Sequence, residues 1–383
     1  MVERRGYFHQ IFGGQYMPEV LMNSLAEMEG EHQFVAKDEC FTRELDFFCN
    51  QYAGRVSPLY KARLLSKKYG PDIYLKREDL LPYGGSSFAA IAGQMIIGKR
   101  IGRRLVLIPV CQPQQGCIAA ALSAAMGMRC EIVMPEVIAC SCDEELMQMQ
   151  MSGALVTIVP GDFEEACRAA QKQWIAQAPY TVLIQTRAAG PHPYPLMVRE
   201  YQKRIGAELR EQILESCGRL PELIVAATGE DAAAAGVFSE FEQDTAVKLM
   251  AVEREDYPVL AKGEQGIAHG MRSLFIQDES GECTSGMLSH GKPCAIGAEP
   301  ELAAMAHQKR LFSEVVTRDE AIEAALETAA LEGFLPGENS SYAIAQALKT
   351  SGNYALDENI AVILSGAPDK NWISACMRKK VER

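Results

Sequence analysis

The sequence predicts an α/β fold in which parallel, twisted sheets are flanked by helices and divided between two lobes. Short apolar or β-branched runs alternate along the chain with longer segments whose apolar residues recur every three or four positions, which is typical of strands alternating with amphipathic helices. The chain has 383 residues, and 48% of them are hydrophobic. That length and composition favour two lobes over a single domain.

Strands are predicted from the short apolar runs at residues 105–110, 130–134, 155–159, 223–227, 247–252 and 360–364. Helices are predicted from the three- and four-residue spacing at residues 88–101, 117–126, 164–177, 196–214 and 232–241. Strands that alternate with helices join into parallel sheets through right-handed crossovers. Such sheets bind ligands beyond the carboxyl ends of their strands, so the functional residues are expected at that edge.

The composition indicates a soluble, acidic protein. Charged residues make up 23% of the chain and the formal net charge is −12, which repels nucleic acid and anionic membrane surfaces, so neither is expected as a partner. No run of about eighteen apolar residues occurs. The opening residues, MVERRGYFHQ, lack a secretory hydrophobic core, so the protein is predicted to be cytoplasmic.

The twelve cysteines fit a reducing compartment better than a disulfide framework. They are scattered or lie in mainly apolar segments, where a free thiol behaves as a small hydrophobe. The one close pair, Cys140 and Cys142, has a single residue between its members and lacks the spacing of a structural zinc site. No metal is therefore expected.

The segment Leu75 to Gln94, LKREDLLPYGGSSFAAIAGQ, joins a strand end to a helix start through a glycine turn. It resembles the β chain of tryptophan synthase, a fold-type II family in which a KRED strand end and a glycine turn precede a lysine that holds pyridoxal phosphate (PLP). Without a gap, that lysine falls on Ser87, the preceding histidine on Ser86, and the following threonine and asparagine on Phe88 and Ala89. No lysine occurs between residues 76 and 99, so the segment has no amine for an aldehyde cofactor.

Three further segments carry the resemblance, which runs from about residue 7 to about residue 371: GGQYMP at 13–18, NQYAGRVSPL at 50–59 and RAAGPHPYP at 187–195. The resemblance implies that both lobes are discontinuous, with the chain crossing between them three times. The N-terminal lobe is then predicted at residues 1–52 plus 86–204, with a mobile subdomain at about 100–187. The C-terminal lobe is predicted at residues 53–85 plus 205–383.

The other family positions that face PLP also differ. The family's acid–base glutamate falls on Pro109, which cannot exchange a proton, and its carboxylate-binding loop reads CQPQQG at 111–116, keeping Gln114 and Gly116. Its phosphate loop reads Gly229, Glu230, Asp231, Ala232 and Ala233. Each added carboxylate would repel a phosphate by roughly 1–4 kcal/mol at about 4 Å.

Near the C-terminus, a family glutamate that faces the cofactor falls on Asn339, while Ser365 keeps the serine beside the pyridine nitrogen. These substitutions together predict a chain with no cofactor and no catalytic residue of the family. The leading hypothesis is a pseudoenzyme that acts as a binding or regulatory partner. The candidate ligand-binding residues in its cleft are Arg187, Glu230, Asp231, Gln114 and Glu338.

Two alternatives remain open at this point. The first is an enzyme that reuses the cleft for PLP-independent chemistry, with the same four charged side chains and Cys111 as candidate groups. The second is a functional tryptophan synthase β chain, converting L-serine and indole to L-tryptophan, with Lys76 or Lys370 as its amine. The resemblance also implies a homodimer and a possible partner resembling the family's α chain or a genuine β chain.

Arg187 falls where the family has a threonine near the cofactor. It is predicted either to pair with Glu230 or Asp231 across the emptied phosphate site, or to face solvent while the two acids cap a helix.

Overall fold

The computed structural model describes residues 5–283 and 297–381. Residues 284–296 lie outside the described residues, and they include part of the loop-like stretch DESGECTSGMLSHGK that the sequence shows at 278–292. The strands are β1 (Tyr7–Phe8), β2 (Phe12–Gly13), β3 (Leu59–Lys61), β4 (Asp72–Arg77), β5 (Leu105–Pro109), β6 (Arg129–Pro135), β7 (Leu155–Val159), β8 (Thr181–Leu183), β9 (Leu223–Ala227), β10 (Lys248–Arg254), β11 (Glu264–Ala268), β12 (Met271–Phe275), β13 (Leu311–Val316) and β14 (Asn359–Leu364).

The helices are α1 (Met22–Val35), α2 (Glu39–Asp46), α3 (Arg63–Tyr69), α4 (Phe88–Arg100), α5 (Pro113–Met126), α6 (Glu136–Ala139), α7 (Asp143–Met151), α8 (Phe163–Gln177), α9 (Tyr194–Cys217), α10 (Ala233–Glu240), α11 (Val259–Lys262), α12 (Pro300–His307), α13 (Arg318–Glu332), α14 (Glu338–Thr350) and α15 (Lys370–Val381). Within the described ranges, no helix is both long and apolar enough to cross a membrane.

The predicted α/β class is confirmed. One sheet has the strand order β13-β10-β9-β14-β4-β3, parallel except for the antiparallel edge strand β3. A second sheet has the order β7-β6-β5-β8 and is parallel throughout. Every residue of β5, β9 and β14 is buried, as expected for parallel strands covered by helices on both faces.

A third sheet, antiparallel and ordered β1-β2-β12-β11, was not predicted. Two of its strands have only two residues, too short for any periodicity to show. The other two form a hairpin whose turn residues His269 and Gly270 both have positive φ, 49° and 82°. A turn with two positive φ angles matches the twist of a hairpin and favours glycine at the second position.

The hydrophobic core consists of separate clusters that follow the division into sheets. One cluster surrounds β5 and β6 and includes Trp174 and Tyr194, and two others cover the opposite faces of the six-stranded sheet, one of them around Trp372. Strands β3 and β4, from residues 59–77, join the same sheet as the strands after residue 205. We retain the two-lobe division and its bounds as a proposal.

Helices α9 and α10 pack closely through glycine. A Cβ placed on Gly236 of α10 would fall on the backbone carbonyl of Gln202 in α9. We expect Gly236→Ala to destabilise the protein by about 1–3 kcal/mol, because the two helices would have to move apart. Gly30→Ala is the matched control: its Cβ would meet no atom within 4 Å in the middle of α1, so it should be neutral or stabilise by up to about 1 kcal/mol. Urea denaturation of both variants checks this, and equal effects would contradict it.

Candidate functional site

Segments that follow β5, β9 and β14 at their carboxyl ends border a cavity of about 870 Å³, here called the cleft. Its lining includes residues 111–114 after β5, Glu230 after β9, residues 366, 367 and 369–371 after β14, and Glu338 and Asn339 in the first turn of α14. Three of the predicted ligand candidates, Gln114, Glu230 and Glu338, therefore lie at one cavity.

The serines at the family's histidine and lysine positions are buried at the start of α4. Ser87 is 2% exposed, and its carbonyl oxygen accepts the Ile91 N–H at 3.0 Å as the helix begins. The Ser86 N–H donates to the Ser365 carbonyl at 3.0 Å, so these two predicted positions lie side by side. Ala89 is fully buried within α4. Neither serine hydroxyl can replace the primary amine of a lysine as a link to an aldehyde.

The loop after β9 keeps one glycine and gains two acids. Gly229 has φ of 110°, a conformation that favours glycine. Asp231 is buried, and its carboxylate accepts the Ala233 N–H at 2.8 Å where α10 begins, while Ala232 and Ala233 are buried beside it. Burial raises the pKa of Asp231 to about 6, against that hydrogen bond and the nearby hydroxyl groups. The Asp231 carboxylate thus already accepts one of the backbone N–H groups at the N-terminus of α10.

Glu230 lies beside an arginine that the sequence analysis did not consider. Arg254, the last residue of β10, has its Nη1 3.4 Å from Oε1 of Glu230 and its Nη2 3.5 Å from Oε1 of Glu338. Its Nε lies 3.4 Å from Asp256. Sequence reasoning missed Arg254, although a charged residue at the carboxyl end of a predicted parallel strand, next to the Glu230 strand, was a signal that could have found it.

Arg187 lines two further cavities, one of about 540 Å³ shared with Pro109 and one of about 510 Å³ shared with Glu299. Its Nη2 donates to the Gly297 carbonyl at 2.9 Å. Arg187 is 6% exposed, so the alternative of a solvent-facing side chain is wrong. Its predicted pairing with Glu230 or Asp231 stays a prediction.

Glu299, which sequence reasoning also missed, is buried at the N-cap of α12. Its Oε1 accepts the Ala188 N–H at 2.9 Å. Burial raises the pKa of Glu299 to about 7, although Arg187 opposes the shift. The sequence offered little signal, because none of the segments that carry the resemblance includes Glu299.

Cys111, a candidate group for PLP-independent chemistry, remains a protonated thiol. Burial and the Glu230 carboxylate raise its pKa to about 12. Its Sγ donates to Oε1 of Gln115 at 3.3 Å and lies 3.4 Å from the Glu230 carbonyl oxygen. Because the thiolate is the reactive form of cysteine, this environment disfavours Cys111 as a nucleophile.

The two lysines considered as replacement amines have different surroundings. Lys76 is buried, and its Nζ donates to Glu208 at 2.8 Å, to Gln212 at 3.0 Å and to the Ser57 carbonyl at 2.8 Å. Lys370 lines the cleft, and its Nζ lies 2.8 Å from Oε1 of Glu144 in an exposed pair. Lys370 is therefore the lysine of the two that the structure places at the cleft.

Comparison with known proteins decides the family. Residues 51–366 match the family described as "Pyridoxal-phosphate dependent enzyme". The chain belongs to this family. It is 35% identical over 376 residues to tryptophan synthase beta chain 1 of Methanosarcina acetivorans, covering 94% of this chain and 93% of the relative.

The fold of this PLP-dependent family member also resembles the crystal structure of a mutant O-ureido-L-serine synthase with O-ureido-L-serine bound. The TM-score is 0.65, the sequence identity is 16%, and the match covers 85% of this chain and 91% of that chain. At that identity the similarity concerns the fold alone.

The sequence-based prediction that the chain has no cofactor was wrong: membership of a PLP-dependent family points to PLP. Changes at individual contact positions do not show that the cofactor is lost. They bear only on how it would be held. The residues at those positions do not fit PLP held as the resemblance implies. Residue 87 is a serine, and the Asp231 carboxylate already accepts the Ala233 N–H where the phosphate loop meets α10.

A resident metal ion has no evident site in residues 5–283 and 297–381, since no group of three or more His, Cys, Asp or Glu side chains there is placed to hold one.

Proposed function

We propose that this PLP-family chain is a pseudoenzyme that binds a small polar ligand in the cleft and acts as a binding or regulatory partner. The observation that carries the proposal is the buried Ser87 at the start of α4, in place of the family's lysine. Pro109 supports it, because the family's acid–base position has no titratable group. The proposal concerns the reaction rather than the cofactor, since PLP could be held without a covalent link at residue 87.

Asn339 supports ligand binding in the cleft. It is 4% exposed, it lines the cleft, and both its amide oxygen and its amide nitrogen are buried without a hydrogen-bond partner among the described residues. Buried amides are normally paired, and an unmade bond is costly. A ligand carrying both a donor and an acceptor would satisfy both atoms. Gln114, Glu230 and Glu338 would surround it.

The reaction is tested by supplying the purified protein with PLP, L-serine and indole and measuring tryptophan by chromatography. We expect none from the natural chain and none from Ser87→Lys, because Pro109 still lacks the family's acid–base group and Asp231 still holds the start of α10. Tryptophan formation by the natural chain would overturn the proposal. Formation by Ser87→Lys alone would show that the lysine is the only missing group.

The second candidate function is that of an active tryptophan synthase β chain, and Lys370 is the observation that favours it. This lysine lines the cleft, and its partner Glu144 is exposed, so the amine could be released at small cost. A PLP adduct that is fixed by borohydride reduction, maps to Lys370 and is lost in Lys370→Ala would favour this candidate. An adduct that survives in Lys370→Ala would exclude Lys370 as its site.

We also propose that the chain forms a homodimer, or pairs with a tryptophan synthase α- or β-chain-like partner. The support is the 35% identity, across almost the whole chain, to a protein named as a beta chain.

A further inference from the structure

A second cavity, of about 510 Å³ with the solvent space at its mouth included, is lined in part by Gly229 and Glu230 and is here called the back cavity. Its polar lining includes Arg254 and Glu299, and its apolar lining includes Tyr257, Val259, Leu260 and Leu302. We propose that the back cavity binds a small neutral molecule of the amide or lactam class, whose carbonyl oxygen accepts from Arg254 and whose N–H donates to Glu299. This inference does not depend on the proposed function, which concerns the cleft.

Arg254 supplies the donor. Its side chain is 7% exposed, and its Nη2 has no hydrogen-bond partner among the residues that the structure describes. Its contacts with the carboxylates of Glu230, Asp256 and Glu338 lie at 3.4–3.5 Å, longer than the roughly 2.7–2.9 Å of a charge-assisted hydrogen bond. A guanidinium is a donor only, so the group that completes its bonding must be an acceptor.

Glu299 supplies the complementary acceptor. It is 2% exposed, its Oε1 is engaged by the Ala188 N–H, and its Oε2 is buried with no hydrogen-bond partner in the described part of the chain. Two residues more than nine-tenths buried thus contribute one unsatisfied donor and one unsatisfied acceptor to the lining of the same cavity. Native proteins rarely leave such atoms unpaired.

The surrounding charges favour a neutral ligand over an anion. Arg254 is already within ion-pair distance of Glu230, Asp256 and Glu338, so its charge is balanced by the protein. The cavity lining itself contains the carboxyl groups of Glu230, Glu253 and Glu299. They outnumber the guanidinium groups of Arg187 and Arg254, so an added carboxylate would be repelled. The apolar side chains of Val259, Leu260 and Leu302 give the body of a neutral ligand a hydrophobic surface.

The test uses the full-length protein at about pH 8, where the Glu299 carboxyl, whose pKa is about 7, is mainly ionised and accepts. The three probes share a benzene ring: benzamide, benzoate and N,N-dimethylbenzamide. Binding is measured by calorimetry and ligand-observed NMR. We expect benzamide to bind at least about tenfold more tightly than either of the others, because benzoate is charged and N,N-dimethylbenzamide has no N–H to donate. Equal or tighter binding of benzoate would overturn the proposal, as would no binding of benzamide.

Variants locate the site. Leu260→Trp should fill the back cavity and abolish benzamide binding. Glu299→Leu and Glu299→Gln should each weaken it by about tenfold or more, because the single oxygen of glutamine would accept the Ala188 N–H and leave only its NH2 group facing the N–H of the ligand. Circular dichroism checks that each variant is folded, and Leu260→Trp and Glu299→Gln give separate readouts should Glu299→Leu not fold. Benzamide binding that persists in Leu260→Trp but disappears in Asn339→Ala would place the probe in the cleft and overturn the proposal without touching the proposed function.

Discussion

Replacing Glu208 by alanine should destabilise the protein by about 3–5 kcal/mol, because it leaves two buried cations short of their carboxylate. Glu208, on α9, accepts from Nε of Arg55 at 2.8 Å and from Nζ of Lys76 at 2.8 Å. Arg55 also donates to both oxygens of Glu78, at 2.8 and 2.9 Å. Burial would raise the pKa of Glu208, but Arg55 and Lys76 outweigh it and hold that pKa below its usual value.

Urea denaturation measures this loss at neutral pH. Lys349→Ala is the matched control, because it breaks an exposed ion pair with Glu320 at 2.9 Å, and such pairs contribute about 0–1 kcal/mol. A loss for Glu208→Ala no larger than that of the control would mean that water or a shifted side chain compensates the two cations. The network joins residues 55, 76 and 78 to α9, so its loss should also reduce the cooperativity of unfolding.

Hydrophobic periodicity predicted the strands that are long and buried enough to appear as apolar runs in the sequence. Strands β5, β9 and β14 are buried along their whole length, and each lies within or beside a predicted apolar run. Strand β8 has three residues and β3 three, so neither could show an alternation. The antiparallel sheet of β1, β2, β11 and β12 depends on contacts between distant segments, which no local pattern contains.

The candidate site could be predicted from the sequence where its residues come directly after the end of a strand. Glu230 follows β9, and Gln114 lies in the first turn of the helix after β5, so the topology of a parallel sheet brings both to the cleft. The direction of a side chain within a loop cannot be read in this way. Arg187 accordingly lines the two neighbouring cavities, and Glu299, which shares one of them, was not anticipated.

The protonation of Glu299 should also make the unfolding free energy of the protein depend on pH. The pKa of this carboxyl is raised from 4.5 to about 7, because burial penalises its charged form, with Arg187 opposing the shift and Asp231 adding to it. A raised folded-state pKa means that the folded protein binds the proton more tightly than the unfolded chain. The contribution of Glu299 is therefore fully present below pH 4.5 and is lost as the pH rises through about 7.

Glu299→Gln isolates this contribution, since Asp231 titrates with the same sign and would obscure it in the natural chain alone. Relative to the natural chain, the variant should gain on the order of 3 kcal/mol in unfolding free energy between pH 4.5 and pH 8, because each pKa unit is worth about 1.4 kcal/mol. Urea denaturation across that range measures the difference. Glu320→Gln is the control of opposite sign, because the Thr317 N–H and Lys349 lower the pKa of Glu320, so its contribution is lost as the pH falls. A pH-independent difference for Glu299→Gln would show that Glu299 is ionised in the folded protein throughout this range.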